Sequence, residues 1–166
     1  MAQILRTEGL TLNLVSAAMI TGTTSTYTTT VTTVGAINGK FVTTLAAQTN
    51  TASPTTDANT SAAFPALQPN QCAAFVFGQT AAGAIALVQG PIIPTYVGVT
   101  TTVGAFIQAP QFPPLPDNFL PLAYGVVRTA PSASAWTLGT SNWTASGVSV
   151  TTFSNVMVLP NRPQIS

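Results

Sequence analysis

The side chains able to do chemistry are few and far apart. They are three carboxylates (Glu8, Asp57 and Asp117), one cysteine (Cys72), one lysine (Lys40) and three arginines (Arg6, Arg128 and Arg162); there is no histidine. General acid–base catalysis needs two groups with tuned pKa values within reach of one substrate. The three carboxylates instead fall in segments that read as an arm and as loops, and Asp117, between Pro116 and Asn118, reads as a turn residue. Cys72 has no histidine to activate it and no second cysteine to pair with, so beside Ala73, Ala74 and Phe75 it reads as a small buried hydrophobe. A zinc cluster and a phosphate-cradling glycine loop before a helix are both missing from the pattern. The one metal option left is calcium, held by Asp57 or Asp117 with backbone carbonyls. Lys40 has the type needed for an isopeptide cross-link to an asparagine, but after a turn it reads more simply as a solvated side chain. The expectation is a protein that is not an enzyme, with no cofactor, no resident metal and no small-molecule substrate.

Composition narrows the partners. Charged residues make up 4% of the 166-residue chain, against about 25% in an ordinary soluble domain. Hydrophobic residues make up 46%, and this is not the composition of a disordered chain, which combines low hydrophobicity with high net charge. A net charge of +1 gives little colloidal protection. Much of the surface is therefore expected to be covered, by other proteins and by copies of the chain in a dimer or trimer. Four scattered cations cannot form the basic patch that nucleic acid requires. Membrane spanning is not expected, since no run of about 18 apolar residues exists. A secretory leader is not expected either, because Glu8 and Asn13 interrupt the short apolar run that follows Arg6.

The elements are organised around residues 71–90. Two uncharged runs, centred on Phe75-Val76-Phe77 and Ile85-Ala86-Leu87-Val88, flank a short loop containing Gly83. Their length, aromatic and β-branched content and glycine boundaries predict a strand hairpin. Asn38-Gly39 predicts a type I′ hairpin turn, since both of its central positions need positive φ. Leu10, Leu12 and Leu14 alternate with polar residues as a strand does, and 96–107, 122–129 and 148–158 read as further strands. Residues 21–33 are a threonine tract, predicted to be one extended strand, polar on both sides and with a sticky edge. It lacks the fixed repeat of an ice-binding face. Residues 46–63 read as one long exposed loop, the place for an inter-subunit excursion. Residues 108–121 are proline-rich and read as a rigid extended connection, whose apolar side chains lie on the domain or a neighbour. Within it, Pro113-Pro114-Leu115-Pro116 has the form that SH3-like grooves take, although scaffolding is the simpler use. Many short strands with turn signals and no amphipathic helix predict an all-β protein, a β-sandwich or jelly-roll-like domain at 10–158. Extended arms are expected at 1–9 and 159–166.

Several of these stretches together resemble small virion structural proteins of tailed bacteriophages, of the head-decoration or cement type. They are the Thr-rich lead into Ala36-Ile37-Asn38-Gly39-Lys40-Phe41, the Asn/Thr/Asp-rich loop at 50–60, and Phe75-Val76-Phe77-Gly78 with Ala81-Ala82-Gly83 and Gln89-Gly90. Phe112-Pro113-Pro114-Leu115-Pro116-Asp117, Tyr124-Gly125-Val126-Val127 and the closing Leu159-Pro160-Asn161-Arg162-Pro163 complete the pattern. The resemblance implies a β-rich protein on the outside of a capsid shell, bridging neighbouring copies of the major capsid protein. A tail, fibre or adhesin component that binds a host surface is the alternative. The residues expected at partner contacts are Thr28, Thr30 and Thr32 of the threonine tract, Pro54 of the long loop, Phe112, Leu115 and Phe119 of the proline-rich segment, and Arg162 of the tail.

Overall fold

The computed structural model describes residues 10–164. The expected arm at 1–9 and the last two residues of the expected tail lie outside them. Every regular element among the described residues is a strand, and all pairings are antiparallel. Three sheets form. A central sheet is ordered β11 (Val148–Val150), β10 (Phe119–Thr129), β7 (Gln71–Thr80), β8 (Ile85–Gln89). Two short strands join it: β9 (Ile93–Pro94) pairs β7, and β12 (Ser154–Asn155) pairs β10. One small sheet is β1 (Leu12–Val15), β4 (Val34–Ile37), β5 (Lys40–Phe41); the other is β2 (Met19–Thr21), β3 (Thr26–Thr29), β6 (Gln48–Ala52). The small sheets pack on one face of the central one, which makes the protein a β-sandwich.

The predicted hairpin at 71–90 is the β7–β8 pair, and it is buried on both faces. Ala73, Phe75 and Phe77 enter the main core with Leu87, Met19, Tyr27, Trp136, Trp143 and Phe153. Val76, Ala86 and Val88 face the other way, where Phe119 and Tyr124 join them under Phe112, Leu115, Val156 and Leu159. A strand buried on both faces reads as an unbroken apolar run, as this one does. The proline-rich segment is the lid on the second face, with Phe112 edge-on to Tyr124 at 4.9 Å between ring centroids.

β10 begins earlier than expected, at Phe119, and passes through Pro121. A proline inside a strand needs a place where its missing N–H is not required. The register shifts between Pro121 and Ala123, so a bulge sits there. Leu122 and Ala123 consequently share the main core. Phe119 and Tyr124, an odd number of positions apart, both reach the second face. Without the bulge one of them would point the wrong way.

The Asn38-Gly39 turn forms as expected, with φ of 50° and 74°. The threonine tract does not form one strand. It breaks at Gly22–Ser25 into the β2–β3 turn, where Thr24 has φ 57° and both the backbone N–H and the hydroxyl of Thr26 donate to the Thr23 carbonyl. Threonine hydroxyls bond local backbone readily, which favours turns as much as strands. Nor is the strand polar on both sides or an edge. Tyr27 and Thr29 are buried, and β3 lies between β2 and β6. The expected loop at 46–63 contains β6, which pairs β3 across a bulge. Residues 96–107 form no strand, only isolated bridges at Thr95–Phe106 and Val99–Thr102. The described part of the tail lies back along its own domain: Leu159 packs on the second face and the Gln164 N–H donates to the Tyr124 hydroxyl.

Two strand edges are closed by a turn or a side chain. At the edge of the central sheet, β8 meets the 57–60 turn instead of solvent. Asp57 accepts the Gln89 N–H (3.0 Å) through Oδ2, and Ala58 N–H donates to the Leu87 carbonyl (3.0 Å). The Asn155 amide pairs with the N–H (2.6 Å) and carbonyl (3.0 Å) of Met19, as a neighbouring strand would. Such plugs remove a template for edge-to-edge aggregation. Asp57→Ala strips three backbone N–H groups of their acceptor, because Oδ1 also holds those of Asn59 and Thr60. The expected outcome is a loss of about 1–3 kcal/mol in a urea melt, with light scattering rising as β8 is uncovered.

Candidate interaction surface

Cys72 and Asp57 are both held within the central sheet or at its edge. Cys72 is buried on β7, paired with Ile93 of β9 on one side and with Arg128 of β10 on the other. Burial pushes its thiol from an ordinary 9.0 up to about 11, against a smaller opposing pull from the Arg128 charge. Burial also raises the Tyr27 hydroxyl above its usual 10.0. Below pH 9 the thiol is protonated in both folded and unfolded chains; above it the unfolded chain loses its proton first. Stability therefore falls as pH rises from 9 to about 11, and Cys72→Ala should flatten that fall when urea melts at the two ends of the window are compared. Asp57, the calcium option, spends both oxygens on backbone N–H groups, and no group of three or more His, Cys, Asp or Glu forms among the described residues.

The residues expected at partner contacts do not gather. Thr28, Thr30 and Thr32 stand on or beyond β3, outside the main core; Thr28 accepts the Asn50 N–H through its hydroxyl. Pro54 is half-buried, its carbonyl closely approached by Gly139. Phe112 and Leu115 lie on the opposite face of the central sheet, packed on their own chain, and Phe119 is buried there. Phe119 is thus not on the surface at all. Arg162 is exposed.

What the surface does present is apolar, at the two ends of the long strand pair. At the Thr80 end, Phe41 is 77% exposed beside Ala81 and Asn118. It continues the outer face of the β1–β4–β5 sheet, where register sets Leu12, Ala36 and Phe41 in one row. Leu10 and Leu14 extend that face, both exposed. At the Gln71 end, β9 leads into a loop at 95–106 that exposes Tyr96 (61%), Val97 (77%) and Val99 (75%). Strand geometry puts the two ends roughly 30 Å apart. Among the described residues, the free charges near them are Lys40 and Asp117, both at the Phe41 end.

One concave feature mixes hydroxyl groups with the apolar Ala135, Ala145 and Val148. A cleft of about 310 Å³ is lined by Ser132, Ser134, Ser141, Ser146 and Asn142 beside Trp136. The indole is 1% exposed, so it offers no stacking face to a sugar.

No family model matches the chain, and neither a curated protein nor a solved structure matches it. The class is defined by the fold and surface alone: an all-β sandwich with few charges and with exposed apolar side chains at both ends of its long strand pair.

Proposed function

We propose that this protein is a structural cement component of a bacteriophage virion, seated on the outside of the capsid shell and bridging neighbouring major capsid subunits. The observation that carries the proposal is the pair of exposed apolar patches at opposite ends of one rigid strand pair. A patch at each end suits a bridge, and many copies, each adding a modest interface, hold a shell against internal pressure by avidity. The low surface charge supports it as well, since such a surface is suited to being covered.

The experiment is to mix the purified chain with shells assembled from the capsid protein of the same genome. Cement co-sediments at a saturating, fixed ratio and raises the temperature at which the shells fall apart. If the chain stays in the supernatant as a well-behaved monomer, the proposal fails. A tail-fibre or adhesin component is the second reading, and among the described residues the only feature on its side is a hydroxyl-lined cleft; binding to a glycan array that is lost in Ser134→Val would replace the first with it.

A further inference from the structure

The loop at 95–106 is exposed and apolar, and it is also held rigid. Its two arms cross so closely that a Cβ on Gly98 would collide with the Thr102 carbonyl, and one on Gly104 with the Tyr96 carbonyl. Tyr96 N–H donates to the Ala105 carbonyl (2.9 Å), and Val99 and Thr102 exchange two backbone bonds (3.1 and 2.8 Å) around a tip where Thr100 has φ 51°. Three outside groups clamp this frame. Asn70 accepts the N–H groups of Thr95 (2.9 Å) and Gly98 (3.2 Å). Ser132 donates twice to the Thr100 carbonyl. Arg128 donates to the Gly104 carbonyl (3.2 Å) while its guanidinium sits 4.7 Å over the Phe106 ring.

So many anchors on a surface loop with three exposed apolar side chains call for a reason. Folding gains nothing from leaving Tyr96, Val97 and Val99 in water, whereas a pre-ordered loop loses little entropy on docking. We propose that this loop is the plug by which the protein enters an uncharged, apolar pocket of a shell subunit, with Tyr96, Val97 and Val99 as the anchoring side chains. The proposal rests on the cement reading and adds the contact to it. Charge decides the kind of partner. The loop has no charged residue, and the one cation at its base, Arg128, is spent on Gly104 and Phe106. A lipid surface or nucleic acid would call for free Lys or Arg at the rim. The tip itself is polar, with Thr100 and Thr101 exposed between the valines. Such a tip suits an apolar-walled protein pocket that leaves the threonine hydroxyls hydrogen-bonded better than a hydrocarbon layer.

The test compares the wild type, Val97→Ser/Val99→Ser, Tyr96→Ala and, as control, Ile20→Ser, which is exposed beside residues 150–153 and outside the loop. The three variants carry changes at exposed positions, and their melting temperatures are expected to agree with that of the wild type. Binding to purified shells should weaken about tenfold or more for the loop variants and stay unchanged for Ile20→Ser. Equal binding by the loop variants overturns the plug while leaving the cement reading standing. No binding by the wild type sinks both. A wild-type dimer that the loop variants disperse reassigns the loop to a second copy, and binding to phosphatidylcholine vesicles that the variants lose reassigns it to lipid; either outcome overturns the proposal.

Discussion

Trp143→Ala should be the most damaging single change in the core. Trp143 joins three parts of the fold that are far apart in sequence. Its ring lies 5.7 Å from Phe75 on β7, 5.5 Å from Phe153 and 5.7 Å from Trp136. Its indole N–H donates to the Thr26 carbonyl (2.7 Å) and its backbone N–H to the Thr24 carbonyl (3.0 Å). It thereby pins the β2–β3 turn to the central sheet. Truncating a buried tryptophan costs roughly 3–5 kcal/mol, and the Thr26 carbonyl loses its donor as well. For a domain of this size that is a fall of roughly 6–20 °C in melting temperature. Calorimetry of Trp143→Ala and Trp143→Phe separates packing from the hydrogen bond: the phenylalanine variant should recover part of the loss. A fall of under a degree or two would mean that the aromatic cluster is not the core's centre.

Asn13→Leu should come next. The side chain is fully buried between the layers. Its Nδ2 donates to the Pro121 carbonyl, at the β10 bulge, and to the Val156 carbonyl (2.7 Å), while its backbone N–H donates to the Met157 carbonyl (2.9 Å). One amide thus ties β1, the bulge and the segment after β12 together. Leucine keeps the volume but takes the donor from the buried Pro121 carbonyl, at about 1–3 kcal/mol, and from the part-buried Val156 carbonyl, at less. Hydrogen exchange should show the loss locally, with faster exchange in β1 and at 156–158 than in β7. Uniform protection across all of them would contradict the role assigned to Asn13.

The parts of the fold legible in the sequence are those where burial or a turn dictates residue type. β7 and β8 must be apolar on both faces, and Asn38-Gly39 must accept positive φ, so these stand out. The threonine tract was opaque because threonine serves strands and hydroxyl-bonded turns alike. β6 was hidden because its residues, Gln48–Ala52, sit on a partly exposed, bulged strand with no alternation to detect. The surface was less legible still. Thr28 and Phe112 read alike as contact residues, but the side of the sheet on which each falls depends on strand pairing, and they fall on opposite sides. The loop at 95–106 did leave a trace in Val97-Gly98-Val99-Thr100-Thr101-Thr102-Val103-Gly104. Its alternation imitates a strand, and the glycines at each end are what distinguish two crossing arms from one extended run. Arg128 read as one scattered cation, since its clamp on Gly104 and Phe106 exists only in three dimensions.

The most direct measurement of the proposed function is the copy number and position of this chain in an intact particle, by quantitative electrophoresis and particle imaging. The expected result is a fixed ratio to the major capsid protein, with density on the outer shell between neighbouring subunits and the 95–106 loop in contact with one of them. A few copies confined to the tail, or none on the particle, would contradict it.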